Sequence, residues 1–192
     1  MARALHKNPF VTSRGTRGFT LVELMIVVAI VGILATLAVV GYRKLVQSSH
    51  VSEATGMVQN IRVAQEGYHS ETQQYANVST SLTSYYPAAP RYGVFTVWGA
   101  ACGNCTPVTW AALPVHVDGP VTFGYATVAG VAGAAIPAAP NVAVNAFPAS
   151  VSTDWYVVVA DGDLDGNPNE PNNTHVFGMS WSNQVVVDRE GE

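Results

Sequence analysis

The stretch that decides the fold is GFTLVELMIVVAIVGILATLAVVGY, which occupies residues 18–42. Between Glu23 and Arg43 it contains no charged residue. A helix from Phe19 to Tyr42 would be about 36 Å long at 1.5 Å per residue, which is enough to cross the hydrocarbon core of a bilayer. The sequence therefore predicts a membrane-spanning helix near the N-terminus.

The residues before Gly18 are basic. They include Arg3, Lys7, Arg14 and Arg17 but no Asp or Glu. A basic segment before an apolar run keeps that end of a chain in the cytoplasm. A cleaved secretory signal has the same order of regions, but this apolar run is longer than a usual signal core and continues into a helical pattern. We therefore predict a short basic leader ahead of a membrane helix.

The lone acid Glu23 needs an explanation, because a carboxylate near the start of a spanning helix is costly to insert and usually has a partner or a role. A simple anchor would not need it. An α-amino group created by cleavage before Phe19 would lie one helical turn away. In a bundle of parallel helices, Glu23 of one subunit would neutralise the terminus of its neighbour and fix the axial stagger.

The residue order from Gly18 to Ala35 resembles the processing and assembly signature of type IV prepilins and type II secretion pseudopilins. The resemblance implies that a prepilin peptidase cleaves between Gly18 and Phe19 and N-methylates the Phe19 amine. It also implies that Glu23 recognises the adjacent subunit during filament assembly. The sequence departs from the family's pattern at two points. Val40 stands where many members have proline. The leader is long for the family, which leaves open a start codon downstream of Met1.

The helix is expected to continue past the membrane as an amphipathic segment over residues 43–72. Apolar residues repeat on one face with helical spacing: Ala54, Met57, Val58, Ile61, Ala64 and Tyr68. This gives four predicted regions: leader 1–18, spanning half 19–42, amphipathic half 43–72 and a β-rich head 73–192.

The head is predicted to carry about four antiparallel strands packed on the amphipathic half of the helix, an α+β pilin-like fold. Five short runs rich in β-branched and aromatic residues suggest strands: Val94–Trp98, Val121–Val128, Trp155–Ala160, Val176–Trp181 and Val185–Asp188. Between Ala129 and Ser150 the composition is almost only small residues and proline, which predicts a low-complexity surface loop that could pack between subunits.

Two cysteines, Cys102 and Cys105, are separated by Gly and Asn. In an exported domain this spacing indicates a small disulfide loop. The same spacing occurs in dithiol redox sites, but those lie between a strand and a helix of an α/β unit. The flanking Gly, Ala, Thr and Pro residues are instead typical of a loop, so we predict a disulfide.

The segment from Asp161 to Asn169 has acids at alternate positions followed by glycine, as in the first half of a calcium-binding loop. The candidate ligands are Asp161, Asp163, Asp165 and the Asn167 backbone carbonyl. Position twelve of the pattern is Asn172 rather than Glu, so this is not an EF-hand. The sequence leaves open a shortened calcium loop, as some pseudopilins have, or a solvated acidic turn without metal.

Composition excludes other functions. Removing the four leader cations leaves five Lys and Arg against 13 Asp and Glu, a formal net charge of −8, which argues against nucleic acid binding. The five histidines lack metal-ligand spacing, and neither a nucleophile elbow nor a phosphate-binding glycine loop occurs. We therefore expect no enzymatic activity and no required cofactor.

The leading hypothesis is a structural subunit of a type IV pilus, used for adhesion, motility or DNA uptake. The alternatives are a pseudopilin of type II secretion and a membrane-anchored redox or metal-dependent enzyme. Expected partners are copies of the chain or other pilins, the prepilin peptidase, an assembly platform and inner-membrane lipid. The precursor would lie in the inner membrane with its N-terminus cytoplasmic, before joining an extracellular pilus or a periplasmic pseudopilus.

Overall fold

The computed structural model describes residues 18–88, 91–99, 110–140, 147–166 and 173–189. The chain divides into two compact units, Met1–Gly41 and Tyr42–Glu192. Each unit is described by itself below. Most of the predicted leader and both cysteines lie outside the described residues.

The longest element is the helix α1, Leu21–Thr72. In the first unit every residue from Gly18 to Gly41 is exposed, including large apolar side chains such as Leu21, Ile30 and Leu37. This part of α1 is long and apolar enough to cross a membrane, and none of its most apolar stretch is buried within the chain. The exposed surface is what a bilayer or other helices would cover, in agreement with the prediction of a spanning helix.

In the second unit α1 buries one face, as its periodicity predicts. The buried residues are Val51, Ala54, Met57, Val58, Ile61, Ala64 and Gln65. The helix ends at Thr72 because Gln73 adopts a left-handed conformation, with φ of 59°. The Gln73 amide still donates a hydrogen bond of 2.8 Å to the His69 carbonyl, which closes the last turn.

The head contains one sheet of four antiparallel strands. They are β1, Gly124–Gly130; β2, Trp155–Gly162; β3, Thr174–Met179; and β4, Ser182–Asp188. Their order in the sheet follows the chain, β1-β2-β3-β4. A long N-terminal helix followed by this sheet confirms the predicted α+β fold.

Both faces of the sheet are covered, so all eight residues of β2 are buried. On one face Tyr156 and Val158 pack in a cluster with Val58 and Ile61 of α1. On the other face Val157 and Val159 pack in a second cluster with Phe177 and Ile136. Since both faces are buried, β2 is a continuous apolar run rather than an alternating one.

The prediction of a strand at Val94–Trp98 is wrong. Among the described residues this segment makes one bridge, in which Thr96 and Val121 exchange two backbone hydrogen bonds of 2.9 Å. Gly93 and Gly99, with φ of 67° and 110°, turn the chain on both sides and prevent a longer pairing. The next strand also begins later than predicted, because β1 starts at Gly124 rather than at Val121.

The small-residue segment after β1 has no helix or strand in its described parts, as predicted, but it is not simply a surface loop. Ile136 is 9% exposed and belongs to the second core cluster, with Ala134 and Phe147 packed against it. The Ile136 amide donates a hydrogen bond of 2.9 Å to the Ala149 carbonyl. The segment therefore forms the cover over one face of the sheet.

Replacing Gly178 with Ala is expected to destabilise the head by about 1–3 kcal/mol, because the added methyl group overpacks the core. A Cβ there would lie 2.7 Å from Val58 Cγ1 and 2.7 Å from Arg62 Cδ. Val58 is fully buried, and Arg62 is held by a hydrogen bond of 2.8 Å to the Ser182 carbonyl. Urea denaturation followed by circular dichroism would measure the loss.

Gly119→Ala is the matched control, since a Cβ at that exposed position would have no neighbour within 4 Å. Equal stability of the two variants would contradict the overpacking explanation.

Candidate assembly site

The start of α1 is closed by a reciprocal pair of side chains, Thr20 and Glu23. The Thr20 amide and hydroxyl both donate hydrogen bonds to Glu23 Oε2, at 2.9 and 2.8 Å. The Glu23 amide donates in return to the Thr20 hydroxyl oxygen, at 3.2 Å. This is a capping box, which satisfies amides that a helix N-terminus leaves without partners.

The capping box brings the Glu23 carboxylate to Thr20, the second residue after the predicted cleavage point. Negative charge is also favoured at a helix N-terminus by the helix dipole. Phe19 itself is 85% exposed, and a Cβ on Gly18 would meet nothing within 4 Å. The predicted processing residues are therefore accessible, and the carboxylate lies within the first turn of the exposed apolar helix.

Thr20 is a capping residue of this site that the sequence patterns above did not single out. The signal was present, because a Thr followed three residues later by Glu before an apolar run is typical of a capping box. It gives Glu23 a role within its own subunit in addition to any role between subunits.

In the head, Asp161 lies near the end of β2 and is buried against β3. Its register partner is His175, and its Oδ1 lies 3.7 Å from His175 Nε2. Burial raises the pKa of Asp161 above its ordinary value, although the charge of His175 and hydrogen bonds from Asn173 and Tyr85 act in the opposite direction. Burial and the nearby Asp161 raise the pKa of the Tyr85 hydroxyl, so it stays protonated and can donate.

Asp163 has different partners. Its Oδ1 accepts a hydrogen bond of 2.8 Å from the Gly166 amide, and its Oδ2 accepts one of 3.1 Å from the Tyr92 amide. Asp165 is exposed. The structure thus engages Asp161 and Asp163 with separate protein groups.

Across the part of the chain that the structure describes, no three His, Cys, Asp or Glu side chains gather in a metal-binding group. Asn167, the fourth predicted ligand, lies outside the described residues, as do Cys102 and Cys105. The calcium site and the disulfide therefore stay predictions.

Comparison with known proteins identifies the N-terminal segment. Residues 13–39 match the family model described as the prokaryotic N-terminal methylation motif. The chain is 39% identical over 103 residues to the type IV major pilin protein PilA of Myxococcus xanthus. The matched region covers 54% of this chain and 46% of the relative.

Two further relatives are fimbrial proteins. The type IV major fimbrial protein FimA of Dichelobacter nodosus is 45% identical over 90 residues, 46% of this chain and 56% of the relative. The fimbrial protein EcpC of Eikenella corrodens is 46% identical over 55 residues, 29% of this chain and 36% of the relative. The chain thus spans about half the length of these relatives or less. No solved structure matches it significantly.

An exposed apolar helix with a methylation motif at its start, joined to a small β-sheet head, defines the class of membrane-anchored proteins with a pilin-like fold. Together with the similarity to pilin and fimbrial relatives, these features make the chain similar to type IV pilins. The relatives named here are pilin and fimbrial proteins, and the comparisons do not favour a pseudopilin.

Proposed function

We propose that this chain is a structural subunit of a type IV pilus, which polymerises through its N-terminal helix after the leader is removed. The observation that carries the proposal is the lone Glu23 carboxylate at the start of a helix whose residues 21–41 are all exposed and otherwise uncharged. A surface of this kind requires a bilayer or neighbouring helices to cover it. Copies of the chain, alone or with other pilins, would supply those helices.

The charge at the new terminus would set how neighbouring helices align. Cleavage between Gly18 and Phe19 by a prepilin peptidase would create an amine next to Thr20, whose amide the Glu23 carboxylate already binds. N-methylation would keep that amine basic. Inside an apolar bundle, a carboxylate and an amine attract strongly because water does not screen them. Glu23 of one subunit would therefore pair with the Phe19 amine of an adjacent subunit.

The proposed location follows from the same segment. The precursor would be anchored in the inner membrane by residues 19–42, with its basic leader on the cytoplasmic side. An assembly platform would then move subunits from the membrane into an extracellular pilus. The head, including the predicted Cys102–Cys105 disulfide, would form the outer surface of the filament.

Mass spectrometry of sheared surface filaments tests the proposal. We expect this chain to be abundant in the filaments and to begin at N-methylated Phe19. A mature chain that begins elsewhere would contradict the processing step. A Phe19-initiated chain that is found only in the membrane, with enzyme secretion lost on gene deletion, would favour a pseudopilin instead.

The calcium prediction for Asp161, Asp163, Asp165 and Asn167 has its own test. Calcium at about 100 times its Kd would stabilise the folded chain by about 2.7 kcal/mol, which corresponds to a rise in Tm of roughly 5–10 °C for a chain of this size. Thermal unfolding of the processed full chain in detergent would be measured with calcium and with magnesium. Asp163→Ala should remove the rise, whereas an unchanged Tm in the unmutated chain would assign the turn a purely structural role.

A further inference from the structure

A cleft of about 410 Å³ lies in the head beside the part of α1 that directly follows the membrane-spanning stretch. Its helical wall contains Tyr42, Arg43, Gln47 and His50. The volume lies within the range of small-molecule sites. None of the predicted processing or assembly residues lines this cleft, although two of the predicted calcium ligands, Asp163 and Asp165, do.

The opposite wall is aromatic. Tyr92 and Phe95 line the cleft and remain 61% and 60% exposed, which is unusual for large rings in a folded head. The Phe95 ring centroid lies 6.2 Å from that of His50. The Tyr92 ring packs over Gly166, where φ is +73° and an added Cβ would lie 2.8 Å from the ring. Both rings are therefore held in place while their faces stay accessible.

The floor of the cleft is the acidic turn that follows β2, which contributes Asp163 and Asp165. The turn is tied to the helical wall by a hydrogen bond of 3.4 Å from Gln47 Nε2 to the Leu164 carbonyl. It is tied to the aromatic wall by the hydrogen bond from the Tyr92 amide to Asp163. The three walls thus form one connected site.

The charges of the cleft are separated between its walls. Arg43 on the helix supplies the cation, and it forms no ion pair with any other described residue. The turn supplies two carboxylates. A guanidinium binds phosphate through charge-assisted hydrogen bonds, whereas carboxylates and aromatic faces together bind an ammonium group. A ligand that carries both a phosphate and an ammonium complements this arrangement.

The position of the cleft along the chain indicates where such a ligand comes from. The headgroup region of a bilayer is about 5–8 Å deep on each side of the hydrocarbon core. From Tyr42 to Gln47 the helix rises about 8 Å. The helical wall of the cleft therefore begins at Tyr42, the last residue of the predicted spanning segment, and its rise to Gln47 is no more than the depth of the headgroup region.

We propose that the cleft binds the headgroup of a zwitterionic phospholipid, phosphatidylethanolamine, in the outer leaflet while the subunit is still in the membrane. Arg43 binds the phosphate, and Asp163, Asp165 and Tyr92 surround the ammonium. This inference rests on the proposed membrane insertion but not on polymerisation. It gives the unassembled subunit a defined depth and rotation in the bilayer.

Native mass spectrometry of the processed full chain in a nonionic detergent tests the proposal. The chain is titrated with phosphatidylethanolamine and, separately, with phosphatidylglycerol, which has the phosphate but no ammonium. We expect phosphatidylethanolamine to bind about tenfold more tightly, the effect of one charge-assisted contact. Arg43→Ala should weaken its binding by about tenfold, and Tyr92→Ser by roughly fivefold.

Lys44→Ala is the matched control, because it removes the same charge at the next position, which does not line the cleft. It should change binding less than about twofold. Equal binding of the two lipids, or equal effects of Arg43→Ala and Lys44→Ala, would overturn the proposal. Soluble phosphoethanolamine that binds as tightly as the lipid would also overturn it. So would the formation of chain dimers in place of lipid adducts, if those dimers disappear in Arg43→Ala.

Failure of this proposal can be told apart from failure of the proposed function. Resistance of the chain to alkaline carbonate extraction reports membrane insertion. Glu23→Val, which is outside the cleft, should keep full lipid binding even where it cannot assemble. A variant that loses assembly and lipid binding together would contradict the independence of the two sites.

Discussion

Replacing Glu23 with Val is expected to reduce incorporation into filaments at least tenfold while membrane insertion and leader cleavage continue. The loss of one charge-assisted contact between subunits costs about 1.5–3 kcal/mol, and each 1.4 kcal/mol corresponds to a factor of ten in binding. The amount of chain in sheared filaments, divided by the amount of processed chain in the membrane, measures the effect.

Two companion variants separate charge pairing from helix capping. Glu23→Gln keeps an acceptor for the Thr20 amide, since Gln also completes a capping box, but it carries no charge. It should fail to assemble as Glu23→Val does. Thr20→Ala removes the hydroxyl that bonds Glu23 yet keeps the carboxylate, so it should still assemble. Normal filaments from Glu23→Gln would show that capping, not charge, is what assembly needs.

Replacing Gln65 with Leu should lower the free energy of unfolding by about 3 kcal/mol and the Tm by roughly 10 °C. Gln65 is fully buried and bonds both backbone groups of Ala76 at 2.8 Å. Its Nε2 also donates to the Thr127 hydroxyl of β1 at 3.0 Å. Leucine would leave these buried groups without partners, which costs about 1–3 kcal/mol for each.

Thermal unfolding by calorimetry would measure this loss. Gln59→Leu is the control, because it makes the same change at an exposed position of the same helix and should alter the free energy by less than about 0.5 kcal/mol. Gln65→Glu keeps the size of the side chain and the acceptor for the Ala76 amide but loses the donor, so it should also be destabilising. If the Gln65→Leu chain were as stable as the Gln59→Leu chain, the stabilising role of this hydrogen-bond network would be refuted.

The exposed apolar helix was predictable because its signal is local. The uncharged run lies within residues 24–42, and its composition alone predicts a helix that is not buried in the head. The amphipathic face of α1 was predictable for the same reason, as helical periodicity identifies Ala54, Val58 and Ile61 without reference to the rest of the chain.

Features of the head that depend on distant contacts were harder to predict. Val94–Trp98 has the composition of a strand, but glycines at both ends leave it one bridge to Val121. Ile136 lies in a segment of small residues, and its burial depends on β2 and on Phe177, which lies 41 positions later. Local composition carries no information about such partners.

The acidic turn shows the same limit for a candidate site. Its spacing predicts three carboxylates around one ion. However, β2 extends through Gly162, so pairing with β3 fixes Asp161 opposite His175. Asp163 lies beyond the strand and bonds the Tyr92 and Gly166 amides. Spacing alone does not define where the strand ends, so it did not show that Asp161 and Asp163 have different protein partners.

In the proposed filament, the uniformly exposed apolar surface of residues 21–41 has a consequence for the energetics of growth. Lipid tails solvate such a surface as well as neighbouring helices do, so hydrophobic burial gives little net preference for either environment. Transfer of a subunit from the bilayer into the filament would then be nearly balanced in free energy. Small specific contacts would decide the direction of that transfer.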